Sequence, residues 1–205
     1  METRHKNASP EDPFARDWEQ KTDIELVELA LRDQGYFLHL IRRYERPLTR
    51  YIRRISNSSH EDAEDILQEV FIKIYKNLND FDTNLKFSSW IYRITHNQVI
   101  SNYRKDKVRP HGSSVELDDE LANKLASNLD IEREVNIKLL REDINKVINR
   151  LEIKYREALV LRYLEEKDYN EISDILKKPI GTVASLVNRG KQKFRDVLKE
   201  EDIKL

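Results

Sequence analysis

Between Lys177 and Lys199 the chain carries Lys177, Lys178, Arg189, Lys191, Lys193, Arg195 and Lys199, against the single acid Asp196. A local charge near +6 suits the phosphates of a nucleic acid. Read as a helix, this stretch puts Thr182, Ser185, Leu186, Arg189 and Lys193 on one face and Val183, Val187, Gly190 and Phe194 on the other. Hydroxyls and an arginine near a helix N-terminus can reach base edges, and arginine is the commonest reader of guanine. The element needed to position them lies just upstream. Tyr169–Leu176 reads as a short amphipathic helix with Tyr169, Ile172, Ile175 and Leu176 inward. Pro179 disfavours helix at Lys178, so a turn follows, and Gly181 or Thr182 can begin the longer helix. A short helix, a tight turn and a second helix is the geometry that lays a recognition helix in the major groove. A helical hairpin with a solvated basic face is the plainer alternative.

Two further surfaces lie in the first half. A helix from Trp90 to about Lys105 interleaves aromatics and amides with cations: Tyr92, Arg93, His96, Asn97, Gln98, Ser101, Asn102, Tyr103, Arg104. Unpaired bases stack on aromatics and hydrogen-bond to amides, so this face suits separated strands. Ordinary surface over a Trp90, Ile91 and Ile94 core explains it equally well. A helix from His60 to Leu78 starts at a capping box, Ser58 with Glu61 or Ser59 with Asp62. It presents Asp65, Gln68, Glu69 and Ile72 outward, which suits docking on a basic partner helix. Its early acids also favour the positive end of their own helix. Arg42, Arg43, Arg46, Arg50, Arg53 and Arg54 add a basic stripe, or a solvated helix face.

Catalysis has no positive support. Of the histidines, none pairs with another at a helical metal spacing, and His60 with Glu64 is better read as capping. There is no Cys, so thiolate metal sites and disulfides are excluded, and four glycines form no phosphate-binding loop. The expectation is a non-enzyme with no cofactor and no metal. Net charge is −1, so a nucleic-acid partner is signalled locally, not globally. No apolar run approaches membrane-spanning length, and Met1 to Asn7 is charged with nothing apolar behind it. A cytoplasmic protein is expected.

The supporting elements read as all-α: two small helical domains joined by a flexible linker, consistent with 37% charged residues and scarce Gly and Pro. Residues 1–21 read as a flexible N-terminal arm and 22–106 as the first domain. Within it Thr22 or Asp23 can cap the first helix, and Pro47 should kink or break the second. Residues 107–130 read as an acidic linker, with Pro110, Gly112 and the acids Glu116, Asp118, Asp119 and Glu120, and with room for a short helical piece around Leu121 to Leu125. Residues 131–205 form the second domain, whose helical pattern resumes at Ile131 and whose helix-turn-helix closes the chain.

These residues resemble a known family. Asp62-Ala63-Glu64-Asp65-Ile66-Leu67-Gln68-Glu69-Val70-Phe71-Ile72-Lys73 resembles region 2.2 of RNA polymerase sigma factors. The resemblance implies that this helix, through Asp65, Gln68, Glu69 and Ile72, docks on the clamp helices of the polymerase β′ subunit. Phe81-Asp82 and Phe87-Ser88-Ser89-Trp90-Ile91-Tyr92-Arg93-Ile94-Thr95-His96-Asn97 resemble regions 2.3 and 2.4, which melt and read the −10 element. Trp90, Arg93, His96, Asn97, Ser101 and Arg104 are the residues so implied. Tyr155-Arg156-Glu157, Leu161-Arg162-Tyr163-Leu164-Glu165, Tyr169-Asn170-Glu171-Ile172 and Gly181-Thr182-Val183 are similar to region 4, which reads the −35 element and contacts the β flap.

The absence of the intervening regions points to the extracytoplasmic-function (ECF) type. In that group the linker is implied to thread the polymerase channels. The implied partners are core RNA polymerase, promoter DNA and, as a further candidate, an anti-sigma factor. Departures are Leu151-Glu152-Ile153 where the family has Leu-Pro, Ser101 where Asp is common, and Leu186 where Arg is common. The last two touch implied DNA-facing positions, so no promoter sequence carries over. The alternative function is a stand-alone helix-turn-helix regulator.

Overall fold

The computed structural model describes residues 18–106 and 147–201. Every regular element among them is helical, in line with the composition. Helix α1, Asp23–Arg32, opens on a capping box: Thr22 Oγ1 accepts from the Glu25 N–H at 3.3 Å, and the Glu25 carboxylate accepts from the Thr22 N–H at 2.7 Å. Helix α2, Phe37–Ser56, continues across Pro47, so of the expected kink or break the break does not occur. An interior proline costs about 3 kcal/mol. The side chains around it, Tyr44, Leu48, Tyr51, Ile52 and Ile55, are all buried, and each contributes about 1.5–3 kcal/mol. Packing therefore outweighs the missing hydrogen bond.

Asn57, left-handed at φ 57°, ends α2. Helix α3, His60–Lys76, starts at Ser59, whose hydroxyl accepts from the Asp62 N–H at 3.1 Å; of the two capping boxes legible in the sequence, this is the one formed. A 3-10 turn at Leu78–Asp80 and a loop lead to α4, Phe87–Asp106. Phe81, Phe87 and Trp90 cluster with ring centroids 5.2–5.7 Å apart, fixing the start of α4 against the core.

In the second half, residues 147–150 are helical and Val147 and Ile148 are buried. Helix α5, Ile153–Leu159, widens into a π-helical segment, Val160–Leu164. Then come α6, Tyr169–Leu176, and α7, Ile180–Glu200. Helix α7 starts slightly earlier than the sequence suggests, because the Pro179 carbonyl already accepts from the N–H groups of Thr182 and Val183. Val183, Val187, Gly190 and Phe194 lie inward as expected, and Leu198 extends the buried stripe. Gly190 sits at a close approach, since a Cβ there would lie 3.1 Å from Leu159 Cγ, tighter than an ordinary contact. Tyr169 differs from expectation. As the first residue of α6 it stays 36% exposed, and its ring receives the Arg162 guanidinium at 5.3 Å.

Most of the arm, the acidic linker with its expected short helical piece, and the helical pattern expected from Ile131 to residue 146 lie outside the described residues. The two halves are not merely tethered, for α6 packs along α4. Nothing in the local sequence pattern signals that contact.

Candidate nucleic-acid interface

The turn between α6 and α7 is built by caps. Asp168 accepts from the Glu171 N–H at 2.8 Å and starts α6. Lys177 ends it in the left-handed region, and the Ser173 hydroxyl donates to the Lys178 carbonyl at 2.6 Å. Helix α7 emerges with Thr182, Ser185, Arg189 and Lys193 exposed along one stripe. Leu186 is half-buried and packs against the core, while the Ser185 hydroxyl donates to the Gly181 carbonyl at 2.9 Å. This places the chain among proteins with a helix-turn-helix whose outward face is basic.

On α4 the sequence-read residues divide. Asn97 and Ser101 are exposed and Arg93 is half-buried. Trp90 lies in the aromatic cluster of the core, and His96 is buried under the second half. Arg104 falls in the last turn of α4. On α3, Asp65, Gln68, Glu69 and Ile72 form one exposed face, with Ile72 54% exposed and Tyr75 40% exposed beside it. Glu69 also accepts from the Gln98 amide of α4, whose oxygen accepts from Lys73. The face is thereby braced from behind.

The basic stripe of α2 is partly structural. Arg43 Nη1 pairs with Asp23 at 2.8 Å, and its Nη2 donates to the carbonyls of Trp18 and Lys21. Arg54 reaches the other half of the chain, pairing with Glu165 at 2.8 Å with both side chains 7% exposed. The second Glu165 oxygen accepts from the Tyr92 hydroxyl at 2.6 Å, and Lys167 Nζ stands 4.7 Å over the Tyr92 ring. Burial, and after it the Glu165 carboxylate, push the Tyr92 phenol far above its ordinary range.

Lys86 approaches Glu171 at 3.5 Å and Asp168 at 3.7 Å. His96 Nε2 lies 3.7 Å from Glu157, with the Tyr51 hydroxyl 3.3 Å from its Nδ1. Burial, then Lys178, lower His96 to about 4. Burial raises Glu157 to about 7 against the opposing pull of Lys178. Both shifts favour the uncharged forms, so this approach is weaker than a full ion pair. A cavity of about 810 Å³ opens beside it, lined by residues including Asn97, Ser101, Lys154 and Lys178. Sequence reasoning missed this junction. Arg54 and Glu165 are 111 positions apart, and no periodicity links them.

Among the described residues no group of three His, Cys, Asp or Glu could hold a metal, and no helix is long and apolar enough to cross a membrane.

The comparisons with known proteins agree with this architecture. The Sigma-70 region 2 family model matches residues 40–109, and the Sigma-70 region 4 model matches residues 141–194. The ECF RNA polymerase sigma factor SigW of Bacillus subtilis (strain 168) is 34% identical over 177 residues, covering 82% of this chain and 91% of that protein. The ECF RNA polymerase sigma-E factor of Escherichia coli (strain K12) is 32% identical over 179 residues, covering 85% and 93%. In fold the chain is similar to CnrH, solved in complex with the cytosolic domain of CnrY, with a TM-score of 0.64 at 21% identity over 87% of this chain and 97% of that one. It is also similar to the sigma factor RpoE of Bartonella quintana, solved with the anti-sigma factor NepR, with a TM-score of 0.62 at 23% identity over 80% and 96%. The chain belongs to the ECF family of RNA polymerase sigma factors and directs transcription initiation. Core RNA polymerase and promoter DNA are its partners.

Proposed function

We propose the following division of labour. Residues 22–106 hold core polymerase and the opened −10 strand, 107–130 link, and 131–205 hold the −35 duplex. Asp65, Gln68, Glu69 and Ile72 meet the β′ clamp helices: two carboxylates face basic partners and Ile72 supplies apolar area, a mixture suited to a specific but reversible dock. Thr182, Ser185, Arg189 and Lys193 enter the −35 major groove, with Arg189 the base reader and Lys193 a phosphate contact. Leu186, half-buried, offers apolar contact at the same surface. The rear half also meets the β flap.

On α4, Arg93, Asn97, Ser101 and Arg104 face the separated −10 strand. Trp90 anchors that helix from the core, and His96 reaches DNA only when the second half moves aside. The observation that carries this reading is the exposed stripe Thr182, Ser185, Arg189 and Lys193 on a helix whose opposite side is wholly buried. Two weak sites on one chain act together because binding at the first raises the effective concentration at the second. The protein works in the cytoplasm, carries no catalytic centre of its own, and is held inactive by an anti-sigma partner.

The test is footprinting on a cognate promoter with chain alone, core polymerase alone and both. Protection of −35 and −10 only with both supports the reading. Strong protection by the chain alone would make it a stand-alone regulator.

A further inference from the structure

Helix α7 has one buried stripe, Val183, Val187, Gly190, Phe194 and Leu198, and that stripe fixes which residues point straight away from the core. Each residue turns an α-helix by about 100°. By that count Ser185 stands opposite the centre of the stripe, with Arg189 about 40° to one side of it and Asn188 about 60° to the other. All three are exposed. Leu186, about 100° from Ser185, falls toward the core side and is half-buried there. The outermost ridge of α7 thus carries Asn188, which the basic stripe leaves without a role. Further along the same ridge Asp196 is exposed. Its carboxylate is repelled by phosphates, so the part of α7 that meets DNA ends before it, and Asn188 and Arg189 fall within what remains.

Asparagine is a poor helix former, because its amide competes for backbone groups. Among the described residues nothing hydrogen-bonds to the Asn188 amide, which projects to solvent from mid-helix. Ser185 differs. Its hydroxyl proton is committed to the Gly181 carbonyl at 2.9 Å, so it has only lone pairs to offer a base.

We propose that Asn188 is a second base-reading residue of this chain, and that it takes an adenine beside the guanine taken by Arg189. This rests on the reading of α7 as the −35 helix. Asn188 Oδ1 accepts from the adenine N6 amino group while its Nδ2 donates to N7, so the amide is matched at both atoms in the major groove. Consecutive Cα atoms lie about 3.8 Å apart, close to the ~3.4 Å between stacked base pairs, so Asn188 and Arg189 address neighbouring pairs. Ser185, an acceptor only, takes an amino group, adenine N6 or cytosine N4.

The test uses holoenzyme assembled from the full chain and core polymerase. The probe is a double-stranded library built on a promoter that wild-type holoenzyme transcribes, with the −35 base pairs randomised, and bound molecules are sequenced. Wild type should enrich adenine at a position next to one that enriches guanine. Asn188→Ala, an exposed change to a better helix former, should cut the adenine preference about 5- to 150-fold, the discrimination of one bidentate pair, and keep the guanine. Arg189→Ala should do the reverse. Replacing that adenine with 7-deazaadenine, which lacks the N7 acceptor, should weaken binding by wild type and not by Asn188→Ala. An adenine preference that survives Asn188→Ala, a loss spread evenly over all sequences, or wild type indifferent to 7-deazaadenine overturns the assignment of Asn188. A guanine preference lost in Arg189→Ala would still keep α7 on the −35 duplex in that case. No enrichment at −35 by wild type sinks both.

Discussion

Arg156 offers the sharpest quantitative test of how the rear domain is held. It is 7% exposed, and its guanidinium donates to four carbonyls: Asn149 at 2.6 Å, Ile148 at 3.1 Å, and Leu151 and Ile55 at 3.3 Å. Three of these lie at or just past the end of the helical residues 147–150, where carbonyls run short of intrahelical donors, although the Ile148 carbonyl also accepts from the Leu151 N–H at 3.1 Å. The fourth belongs to the last turn of α2, so one side chain also ties the rear domain to the front. Consider Arg156→Met, which keeps the volume and removes every donor. The two shorter bonds come from a charged group and are worth about 1.5–3 kcal/mol each, while the longer two add little. Burial disfavours the guanidinium, as its lowered pKa reports, and returns part of that sum. The net cost is about 2–4 kcal/mol, against a stability of about 3–9 kcal/mol for a domain of some sixty residues. Urea unfolding followed by circular dichroism should show an early transition for the rear domain. Arg156→Lys keeps the charge but not the fork, and should recover less than half of the loss. A Lys variant as stable as wild type, or a Met variant within about 0.5 kcal/mol of it, would refute the four-carbonyl account.

Three other outcomes follow. The Glu157 acid, raised from 4.5 to about 7, adds stability that is whole below about 4.5 and is lost as pH rises through 7, whereas neutral His96, lowered from 6.5 to about 4, adds stability that is whole above about 6.5 and is lost as pH falls through 4. Wild type should therefore unfold at nearly the same denaturant concentration from pH 5 to 8, while Glu157→Gln weakens toward acid and His96→Gln toward alkali, each by about 3 kcal/mol at most; parallel profiles in the two variants would contradict this. Arg189→Ala should weaken promoter binding by about 1–3 kcal/mol in a filter or anisotropy assay with core polymerase, and unchanged affinity with an intact fold would remove its base-reading role. Asp65→Lys with Ile72→Asp should lower capture of core polymerase in a pull-down while leaving the circular dichroism spectrum alone, since both side chains are exposed; undiminished capture would move the docking face elsewhere.

The parts legible in the sequence are those governed by neighbours along the chain. The Thr22 and Ser59 caps, the α6 and α7 helices and the inward stripe of α7 follow from residue types at spacings of one to four. Pro47 does not break α2 because its local penalty is set against the packing of a whole helix face that no local rule weighs. Tyr169 was misleading because a helix's first residue need not share the facing of the turns behind it. The seam through Arg54, Tyr92 and Glu165 was invisible for a different reason. Its members come from helices far apart in sequence, and each alone reads as an ordinary surface charge or aromatic.

The most direct measurement is run-off transcription from fragments of the source genome with sigma-free core polymerase, with and without this chain. RNA starting at discrete sites only when the chain is present, and lost with Arg189→Ala, is the expected result. Start sites that are the same with and without the chain would contradict the account at its root.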